Sequence, residues 1–291
     1  MPVKTEPGSR LAALRDEIEG RLRSYLPQRD RLIPPLWDAV AHSLLGGGKR
    51  LRPLLVYAAC EATGGQPGED LWRACAAAEY LHTFSLVHDD LPCMDDDDLR
   101  RGQPTCHKVY GEGMAVLAGD ALAVLAFEVL AATSHPELVG EFARAIGGEG
   151  MIGGQVADLQ AEGRPAHRDQ VTRIHRLKTA ALMVACVRAG GIVAGANRAA
   201  LNALTVYGEE LGSAFQIKDD LLDVLGTTES LGKTAGLDAR RAKATYPSAT
   251  SVAEAATQCE LHATAAISAL QGLREPGLLR ELVHLCTQRE G

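Results

Sequence analysis

The sequence is poor in aromatic residues, has no surplus of positive charge and shows no paired cysteine motif. Phe, Trp and Tyr make up 4% of its 291 residues, and alternation of β-branched with polar residues is scarce, which disfavours a sheet-based fold. The net charge of −7 argues against a general nucleic-acid-binding protein. The seven cysteines include no C-x-x-C pair, so we expect reduced thiols in a cytoplasmic protein and no disulfide framework.

Long uncharged hydrophobic runs are missing as well. Residues 115–132 form the most apolar stretch, but Asp120 and Glu128 interrupt it, and we predict a buried helix there instead of a membrane span. Residues 1–10 lack the apolar core of a signal peptide. These absences predict a protein without a membrane span.

The sequence does contain a helical pattern from one end to the other. Apolar residues recur at helical spacing, as in Leu11, Leu14 and Ile18, and segments with glycine and proline separate stretches of roughly 15 to 25 residues. No change of composition marks a domain boundary. We therefore predict one all-α domain over residues 1–291, with ten or more helices and a disordered tail at 1–8.

Two acidic clusters stand far apart in the sequence. Residues 89–98 read DDLPCMDDDD, and residues 219–223 read DDLLD. Carboxylates packed this densely raise the pKa of one another, and a bound cation relieves that cost. Mg²⁺ prefers oxygen ligands and often bridges carboxylates to substrate phosphates. We predict that Mg²⁺ ions hold a diphosphate between the two clusters.

The first cluster cannot act as one regular helix. Asp89 and Asp95 are six residues apart, which places them on different helix faces, but Pro92 lies between them. Because proline disfavours helix, we predict a break over residues 91–94 that returns Asp95 to the side of Asp89. An acidic run is more often a solvated surface, and residues 96–98 are interpreted as supporting groups or as merely exposed.

Polar stripes mark two of the predicted helices. Asp219 and Asp223 are four residues apart and share a helix face, which Gln216 joins. Upstream of the first cluster, Glu79 and His82 interrupt an otherwise apolar helix. Such stripes indicate that both helices line a polar cavity.

The basic segment GGGKRLRP at residues 46–53 is a candidate anion site. It is not a nucleotide-binding P-loop, because Ser43 stands where that motif needs glycine and Arg50 where it needs Ser or Thr. Guanidinium groups still bind diphosphate well through their planar fork of donors. The alternative is a basic surface turn that precedes a helix.

Two further segments are candidate anion contacts. His175, Lys178 and Thr179 fall on one face of a regular helix, and a lysine facing a cavity is costly without an anion. The alternative is a surface lysine whose stem covers apolar neighbours. Residues 232–234, GKT, follow the second acidic helix and are predicted to close over a phosphate. Residues 150–155 are interpreted as a close helix contact.

Taken in order, these segments resemble the short-chain trans-polyprenyl diphosphate synthases, most of all the bacterial farnesyl diphosphate synthases. The resemblance runs from about residue 44 to about residue 247, and the order of its motifs makes it specific. The motifs are GGKRLRP at 47–53, E-x-x-H at 79–82, SLVHDDLP at 85–92, residues 94–102, GGQ at 153–155, HR-x-KT at 175–179, FQI-x-DD-x-LD at 215–223, GK at 232–233 and K-x-TYP at 243–247.

The resemblance implies an orthogonal bundle of α-helices of the isoprenoid synthase type around a central apolar cavity, in a homodimer. It implies that dimethylallyl or geranyl diphosphate reacts head-to-tail with isopentenyl diphosphate, which gives a longer prenyl diphosphate and free diphosphate. It also implies a Mg²⁺ cofactor of three ions, with Mn²⁺ as the alternative metal.

The resemblance also assigns roles to individual residues. The expected metal ligands are Asp89, Asp90, Asp95, Asp219 and Asp223. The expected contacts of isopentenyl diphosphate are Lys49, Arg52, His82 and Arg101, and Gly48 is a further expected substrate contact. The expected contacts of the allylic substrate, which with Asp89, Asp95 and Asp219 form the catalytic set, are Arg100, Lys178, Thr179, Gln216 and Lys233.

Physical chemistry agrees with these roles. Ionising the allylic carbon–oxygen bond requires neutralisation of the leaving diphosphate, which metal ions and basic side chains provide. The allylic cation must meet the second substrate in a fixed pose, away from water. The hydroxyl of Thr179 and the carbonyl of Gln216 are suited to stabilise that cation. The chain offers no dedicated base, so we expect the final proton to leave with the diphosphate.

Phe84 and Ser85 precede Asp89 by about one helical turn and lie roughly 6 to 8 Å from it along the axis. An aromatic at position 84, with the six-residue spacing of the first aspartates, resembles the farnesyl producers. We predict a C15 product, with geranylgeranyl or geranyl diphosphate as alternatives; an ordinary core phenylalanine is the alternative role of Phe84.

Two other functions compete with prenyl transfer. A terpene cyclase also ionises an allylic diphosphate, but it needs no second diphosphate site, and Lys49, Arg52 and Arg101 argue against it. A partner subunit without catalytic activity would not need both acidic clusters, and both are intact here.

Overall fold

Helices form nearly all the regular structure in the computed structural model of this chain, which describes residues 7–31, 33–225 and 243–288. Two short strands, β1 (Leu99–Arg100) and β2 (Gln103–Pro104), pair antiparallel. A π-helical segment, Arg176–Ala180, joins two helices. The α-helices are α1 (Pro7–Tyr25), α2 (Pro34–Leu45), α3 (Leu51–Ala62), α4 (Glu69–Asp89), α5 (Cys106–Tyr110), α6 (Glu112–Ala131), α7 (Glu137–Ile146), α8 (Met151–Ala161), α9 (Arg168–His175), α10 (Ala181–Val193), α11 (Arg198–Leu225), α12 (Tyr246–Ala249), α13 (Val252–Ala269) and α14 (Gly277–Thr287).

The predicted all-α fold is confirmed. The start of α1 differs from the expectation, because the helix begins at Pro7, inside the tail predicted to be disordered at 1–8. Several helix starts follow from local sequence. Proline opens α2, where its missing N–H costs nothing. The Ser251 hydroxyl caps α13 by accepting a hydrogen bond from the Glu254 backbone N–H at 3.1 Å.

Helix α4 lies at the centre of the larger hydrophobic core and packs against α3, α6 and α10. Its first half is rich in alanine, and Ala74 and Ala77 are fully buried, so neighbouring backbones approach closely. Glycine serves the same purpose on α10, where a Cβ at Gly190 would overlap the Val56 carbonyl of α3. Close packing fixes the direction in which the end of α4 points.

Helix α6 is buried on one face only, so the prediction of a buried helix over residues 115–132 is half wrong. Ala118 and Leu122 are fully buried, but Leu117 is 55% exposed and Val124 is 67% exposed. Among the described residues, α6 is the one helix whose length and composition would suit a membrane span, and 39% of its most apolar window is buried. This is weak evidence for a span, because core helices pass the same test.

A second, smaller core lies beneath the end of α11. It joins α8 and α9 to α11, α12 and α13 through buried side chains that include Ala161, Ile174, Ile217, Tyr246 and Cys259. The second acidic cluster therefore stands on a packed base of its own.

All seven cysteines are free thiols, and six of them are buried. The exposed one is Cys93, which lies in the turn that follows α4.

Candidate active site

A cavity of about 950 Å³ lies beside the end of α4 and is bordered by α8, the π-helical segment and α11. Most of the residues predicted to bind substrate or metal line it. Those lining residues are Gly48, Lys49, Arg52, His82, Phe84, Ser85, Asp89, Arg100, Arg101, Lys178, Thr179, Gln216 and Asp219. Asp90, Asp95 and Asp223 do not line the cavity, and Lys233 lies outside the described residues.

The first acidic wall, residues 89–98, is a turn that returns on itself. Helix α4 ends at Asp89, and the backbone N–H of Asp95 donates to the carbonyl of Asp89 at 2.7 Å. Inside this loop, the N–H of Met94 donates to the carbonyl of Leu91 at 2.8 Å. The predicted break at 91–94, with Asp95 brought back to Asp89, is confirmed. It places two carboxylates side by side that a straight helix would separate.

Two cations, one directly after the wall and one from a distant segment, form ion pairs with it. The Nε of Arg100 donates to Asp90 Oδ1 at 2.9 Å, and its Nη2 donates to Asp97 Oδ2 at 3.0 Å. Lys243, the first residue of the K-x-TYP segment, donates to Asp95 Oδ1 at 2.7 Å. Burial nevertheless raises the pKa of Asp89 to about 6, although the charge of Lys178 opposes the shift. The wall therefore holds more negative charge than its buried position favours.

The π-helical segment carries Lys178 and Thr179 into the cavity. Lys178 Nζ donates to Asp158 Oδ2 of α8 at 2.7 Å. Burial lowers the pKa of Lys178, but the attraction of Asp89 and then of Asp158 outweighs it and raises the pKa overall. Residues 150–155 make the close contact that was predicted, because a Cβ at Gly154 would overlap the backbone of Lys178.

His175 does not join Lys178 and Thr179 on one face, so that prediction is wrong. Its Nε2 lies 3.2 Å from Asp220 Oδ2, and its ring stacks on Tyr246 in the smaller core. The π-helical segment inserts an extra residue into the turn, which breaks the i, i+3, i+4 relation that a regular helix would give.

The second acidic wall, Asp219, Asp220 and Asp223, lies on the regular helix α11. Asp219 lines the cavity. Asp220 is buried and accepts hydrogen bonds from the Tyr246 backbone N–H at 2.7 Å and from Gln216 Nε2 at 3.2 Å. Asp223, one turn further along, is 3% exposed. One carboxylate of this wall thus borders the cavity and its neighbour anchors the helix.

Thr179 and Gln216 both line the cavity and contact each other. The Thr179 hydroxyl donates to Gln216 Oε1 at 2.7 Å, while the Gln216 amide nitrogen donates to Asp220. The pairing fixes the Gln216 carbonyl oxygen toward Thr179. Two oxygen dipoles therefore stand at the cavity wall between the two acidic walls.

Four residues that line the cavity form a basic corner, and they are Lys49, Arg50, Arg52 and Arg101. Arg50 adopts the left-handed conformation at φ +51° and is fully buried, where its Nη1 donates to Glu79 Oε1 at 2.7 Å. The same carboxylate oxygen lies 3.7 Å from the Arg101 guanidinium. The surface-turn alternative therefore fails for Arg50, whereas Lys49 is exposed.

Gly48 and His82 complete this corner. A Cβ at Gly48 would lie 2.6 Å from Arg101 Cζ, so a larger residue there would displace the Arg101 guanidinium from the loop. Burial and then the nearby charges of Arg52 and Arg101 hold the pKa of His82 well below its usual range. His82 is therefore neutral and can donate or accept a hydrogen bond without adding charge.

The part of the cavity away from the charges is apolar. Phe84 is 9% exposed and borders it from α4. Ile152, Val156 and Leu159 border it from α8 at intervals that place them on one helix face. A charged mouth above an apolar chamber suits a ligand with a diphosphate head and a hydrocarbon tail.

Comparison with known proteins identifies the family. The family model described as polyprenyl synthetase matches residues 34–277. Farnesyl diphosphate synthase of Bacillus subtilis is 43% identical over 291 aligned residues, which cover 96% of this chain and 97% of the relative. The chain belongs to the polyprenyl synthetase family. This polyprenyl synthetase is a prenyltransferase, and head-to-tail prenyl transfer is the reaction that fits the family.

Two further relatives of this polyprenyl synthetase carry other names. Geranylgeranyl pyrophosphate synthase 12 of Arabidopsis thaliana is 47% identical over 243 residues, covering 80% of this chain and 67% of that protein. A geranyltransferase from Helicobacter pylori, solved in complex with magnesium and isoprenyl diphosphate, has a TM-score of 0.86 at 33% identity, covering 99% of this chain and 98% of its own.

Several residues of this polyprenyl synthetase received no role from sequence reasoning. Lys243 was recognised only as part of a motif, and Glu79 only as part of a polar stripe. The signal for Lys243 was its position two residues before the TYP sequence at 245–247. Residues 150–155 were interpreted as a close helix contact, and the apolar side of α8 received no role, although Ile152 and Val156 stand four residues apart, a spacing typical of a helix face.

Proposed function

We propose that this polyprenyl synthetase is a divalent-metal-dependent farnesyl diphosphate synthase. It adds isopentenyl diphosphate to dimethylallyl or geranyl diphosphate and releases mainly the C15 product. The observation that carries the proposal is one cavity with two acidic walls and a basic corner at its mouth and an apolar chamber bordered by Phe84. The Bacillus subtilis relative supports the product assignment by its name.

The donor set fits Mg²⁺. Among the described residues, no three carboxylate, histidine or cysteine groups converge into a ready-made metal cage. Mg²⁺ does not need one, because it is commonly held by one or two carboxylates together with waters and substrate phosphates. Asp89 and Asp95 on one wall and Asp219 on the other are the proposed ligands, with Asp90 and Asp223 as supporting groups. Three ions, and Mn²⁺ as a substitute, remain part of the proposal.

When bound, the metal supplies charge neutralisation to the leaving diphosphate. The chain adds Arg100 and Lys178, both at the cavity, and Lys233 is proposed to do the same from outside the described residues. Lys49, Arg52 and Arg101 of the basic corner bind the diphosphate of the second substrate, isopentenyl diphosphate. The neutral His82 contributes a hydrogen bond there. Two anion sites in one cavity bring the allylic carbon of the first substrate close to the alkene carbon of isopentenyl diphosphate.

Thr179 and Gln216 stabilise the allylic cation. The Thr179 hydroxyl oxygen and the Gln216 carbonyl oxygen present negative dipole ends, and neither forms a bond to carbon. The apolar chamber excludes water, which would otherwise capture the cation. The proton lost from the new chain leaves with the released diphosphate.

Product length is set by the depth of the apolar chamber. We propose that Phe84, with Ser85, forms its floor and stops the chain at C15. Geranylgeranyl diphosphate is the second candidate product, because the Arabidopsis relative shares 47% identity and carries that name. Geranyl diphosphate, a terpene cyclase activity and a role as a non-catalytic subunit have less support, since both acidic walls and a second anion site are present.

The test is a product assay of the purified chain with Mg²⁺, isopentenyl diphosphate and each of the C5, C10 and C15 allylic diphosphates. We expect farnesyl diphosphate from the C5 and C10 starters. The Phe84→Ala variant should shift the product toward C20 and longer, because a deeper floor admits another isoprene unit. Phe127→Ala is the matched control, since Phe127 lies on α6 and does not line the cavity. An unchanged product from Phe84→Ala would refute the floor assignment.

The exposed apolar face of α6 supports a homodimer. Val116 is 40% exposed, Leu117 55% and Val124 67%. A second copy of the chain would cover this face, and removing apolar surface from water favours association. Leu117→Glu with Val124→Glu is expected to halve the mass measured by light scattering; a wild-type monomer would contradict the proposal.

We also infer that residues 1–291 form one polyprenyl synthetase domain without a membrane span, in the cytoplasm. The family model covers residues 34–277, and the seven free thiols suit a reducing compartment.

A further inference from the structure

Phe84 is supported from its own helix by His88, and His88 is seated in a notch of α6 that Gly119 creates. We propose that this seat of His88 against Gly119 sets the position of Phe84 and thereby the depth of the chamber. The inference rests on the proposed role of Phe84 as the chamber floor. His88 acts as a positioning residue in this scheme, and it takes no part in binding diphosphate or metal.

The first contact is between two rings on α4. Phe84 and His88 are four residues apart and therefore lie next to each other on one face of the helix. Their ring centroids are 5.4 Å apart and their planes meet at 85°, an edge-to-face arrangement. Such pairs prefer this geometry, which restricts how the Phe84 ring can turn. Both rings border the cavity.

The second contact fixes His88 itself. Its Nε2 lies 3.0 Å from the carbonyl oxygen of Val116 on α6. A carbonyl can only accept, so Nε2 carries the proton and donates it to this bond. The imidazole is therefore hydrogen-bonded to α6 through Nε2, and it contacts the Phe84 ring in the edge-to-face arrangement. Through the imidazole of His88, the position of α6 determines where the Phe84 ring can lie.

The third contact shows why the seat exists. A methyl group built on Gly119 would overlap the imidazole atoms Nε2 and Cδ2 of His88. Gly119 is fully within α6 and has an ordinary helical backbone, so no backbone demand explains a glycine there. Glycine in the middle of a helix costs roughly 1 kcal/mol relative to alanine. The space it leaves is occupied by His88.

The three contacts predict opposite effects for two substitutions. His88→Ala removes the support, so Phe84 can turn into the vacated notch and the chamber deepens. Gly119→Ala fills the notch and displaces the imidazole toward Phe84 and the cavity, so the chamber shortens. In the double variant, the added methyl occupies the space that the imidazole left, and the floor returns toward its original position.

The experiment measures kcat/KM for the C15 starter relative to the C10 starter, with isopentenyl diphosphate and Mg²⁺, because discrimination is a ratio of kcat/KM values. We expect this ratio to rise about tenfold in His88→Ala, to fall severalfold in Gly119→Ala and to lie within about threefold of wild type in the double variant. His167→Ala is the matched control, since His167 is exposed and borders neither the cavity nor α6.

A second comparison tests whether His88 acts through Phe84. In a Phe84→Ala background, His88→Ala should change the ratio by less than about twofold, because the ring that it positions is gone. A full tenfold effect in that background would overturn the inference. The concentration of Mg²⁺ at half-maximal rate should stay within about twofold of wild type in His88→Ala, since a positioning role for Phe84 does not alter the neighbouring carboxylates.

The outcomes separate this inference from the proposed function. If Phe84→Ala lengthens the product and His88→Ala does not, only the role of His88 is overturned. If Phe84→Ala leaves the product unchanged, the floor assignment fails and the inference fails with it. Should His88→Ala not fold, His88→Gln retains a donor for the Val116 carbonyl but lacks the ring, and it should raise the ratio in the same direction; an unchanged ratio in a folded His88→Gln would also overturn the inference.

Discussion

The two acidic walls have similar sequences but are built in different ways. The first ends a helix, turns back at Pro92 and is compensated by cations, with Arg100 on Asp90 and Lys243 on Asp95. The second stays on the regular helix α11, where Asp220 is held by a backbone N–H and an amide. Density of aspartates alone therefore says little about which carboxylate meets the ligand.

The difference bears on how each wall would accept the proposed metal ion. In the first wall, side chains with positive charge occupy the carboxylates that a metal ion would use, so binding requires exchange. In the second wall, one carboxylate borders the cavity while the buried neighbour keeps the helix in place. Substitutions that remove charge without changing shape distinguish these roles.

The largest effect is expected at the carboxylates that border the cavity. Asp89→Asn and Asp219→Asn should each lower kcat by about 10³-fold or more, because each removes charge from the proposed metal site. Asp220→Asn should lower kcat by about tenfold or less, since an amide oxygen can still accept from the Tyr246 N–H. Steady-state kinetics with geranyl and isopentenyl diphosphates measure this. Equal losses at Asp219 and Asp220 would contradict the division of roles in the second wall.

A smaller effect of opposite sign is expected on stability in the first wall. The pKa of Asp89 is raised to about 6 from 3.8, so between those values the folded protein binds more protons than the unfolded chain. The free energy of unfolding therefore falls as pH rises through this window. Asp89→Asn removes the dependence and should stabilise the metal-free protein by on the order of 2 kcal/mol at pH 7 to 8.

Urea unfolding in the presence of EDTA, at about pH 4 and about pH 7.5, measures this gain. Asp96→Asn is the control, because Asp96 is exposed on the same wall. A gain of equal size at both pH values would show that the ionisation of Asp89 is not its cause. If Asp89→Asn loses activity and gains stability, the carboxylate of Asp89 serves activity at a cost in stability.

The smallest effect concerns the cation on Asp95. Lys243→Gln removes a charge that a divalent ion must displace, so the substrate-free protein should bind Mn²⁺ about three- to fivefold more tightly. Electron paramagnetic resonance of free Mn²⁺ gives the affinity directly. Lys218→Gln is the matched control, because Lys218 lies on α11 and does not line the cavity. Weaker Mn²⁺ binding in Lys243→Gln would mean that the lysine supports the site.

Local features of this molecule could be predicted from sequence, and features that depend on distant contacts could not. The break at residues 91–94 follows from one proline and one spacing, and the structure confirms it. The pairing of Lys243 with Asp95 joins residues 148 positions apart, which no local pattern encodes. The direction of His175 was mispredicted because a π-helical turn changes the helical period.

Helix α6 shows a second kind of limit. Its apolar residues occur on every side, with Asp120 and Glu128 among them, so periodicity cannot tell a face that packs in the core from a face that meets a partner. Ala118 and Leu122 belong to the first face and Leu117 and Val124 to the second. Only the arrangement of α2 and α4 around the helix separates the two.

The distribution of thiols gives experimental access to the first wall. Six cysteines are buried, and burial raises the pKa of Cys60 to about 11, so such sulfurs react slowly with alkylating dyes at neutral pH. Cys93 is exposed in the turn between Asp89 and Asp95. A maleimide fluorophore on the unmodified chain would therefore sit beside the wall and report ligand arrival by its emission, without any engineered attachment point.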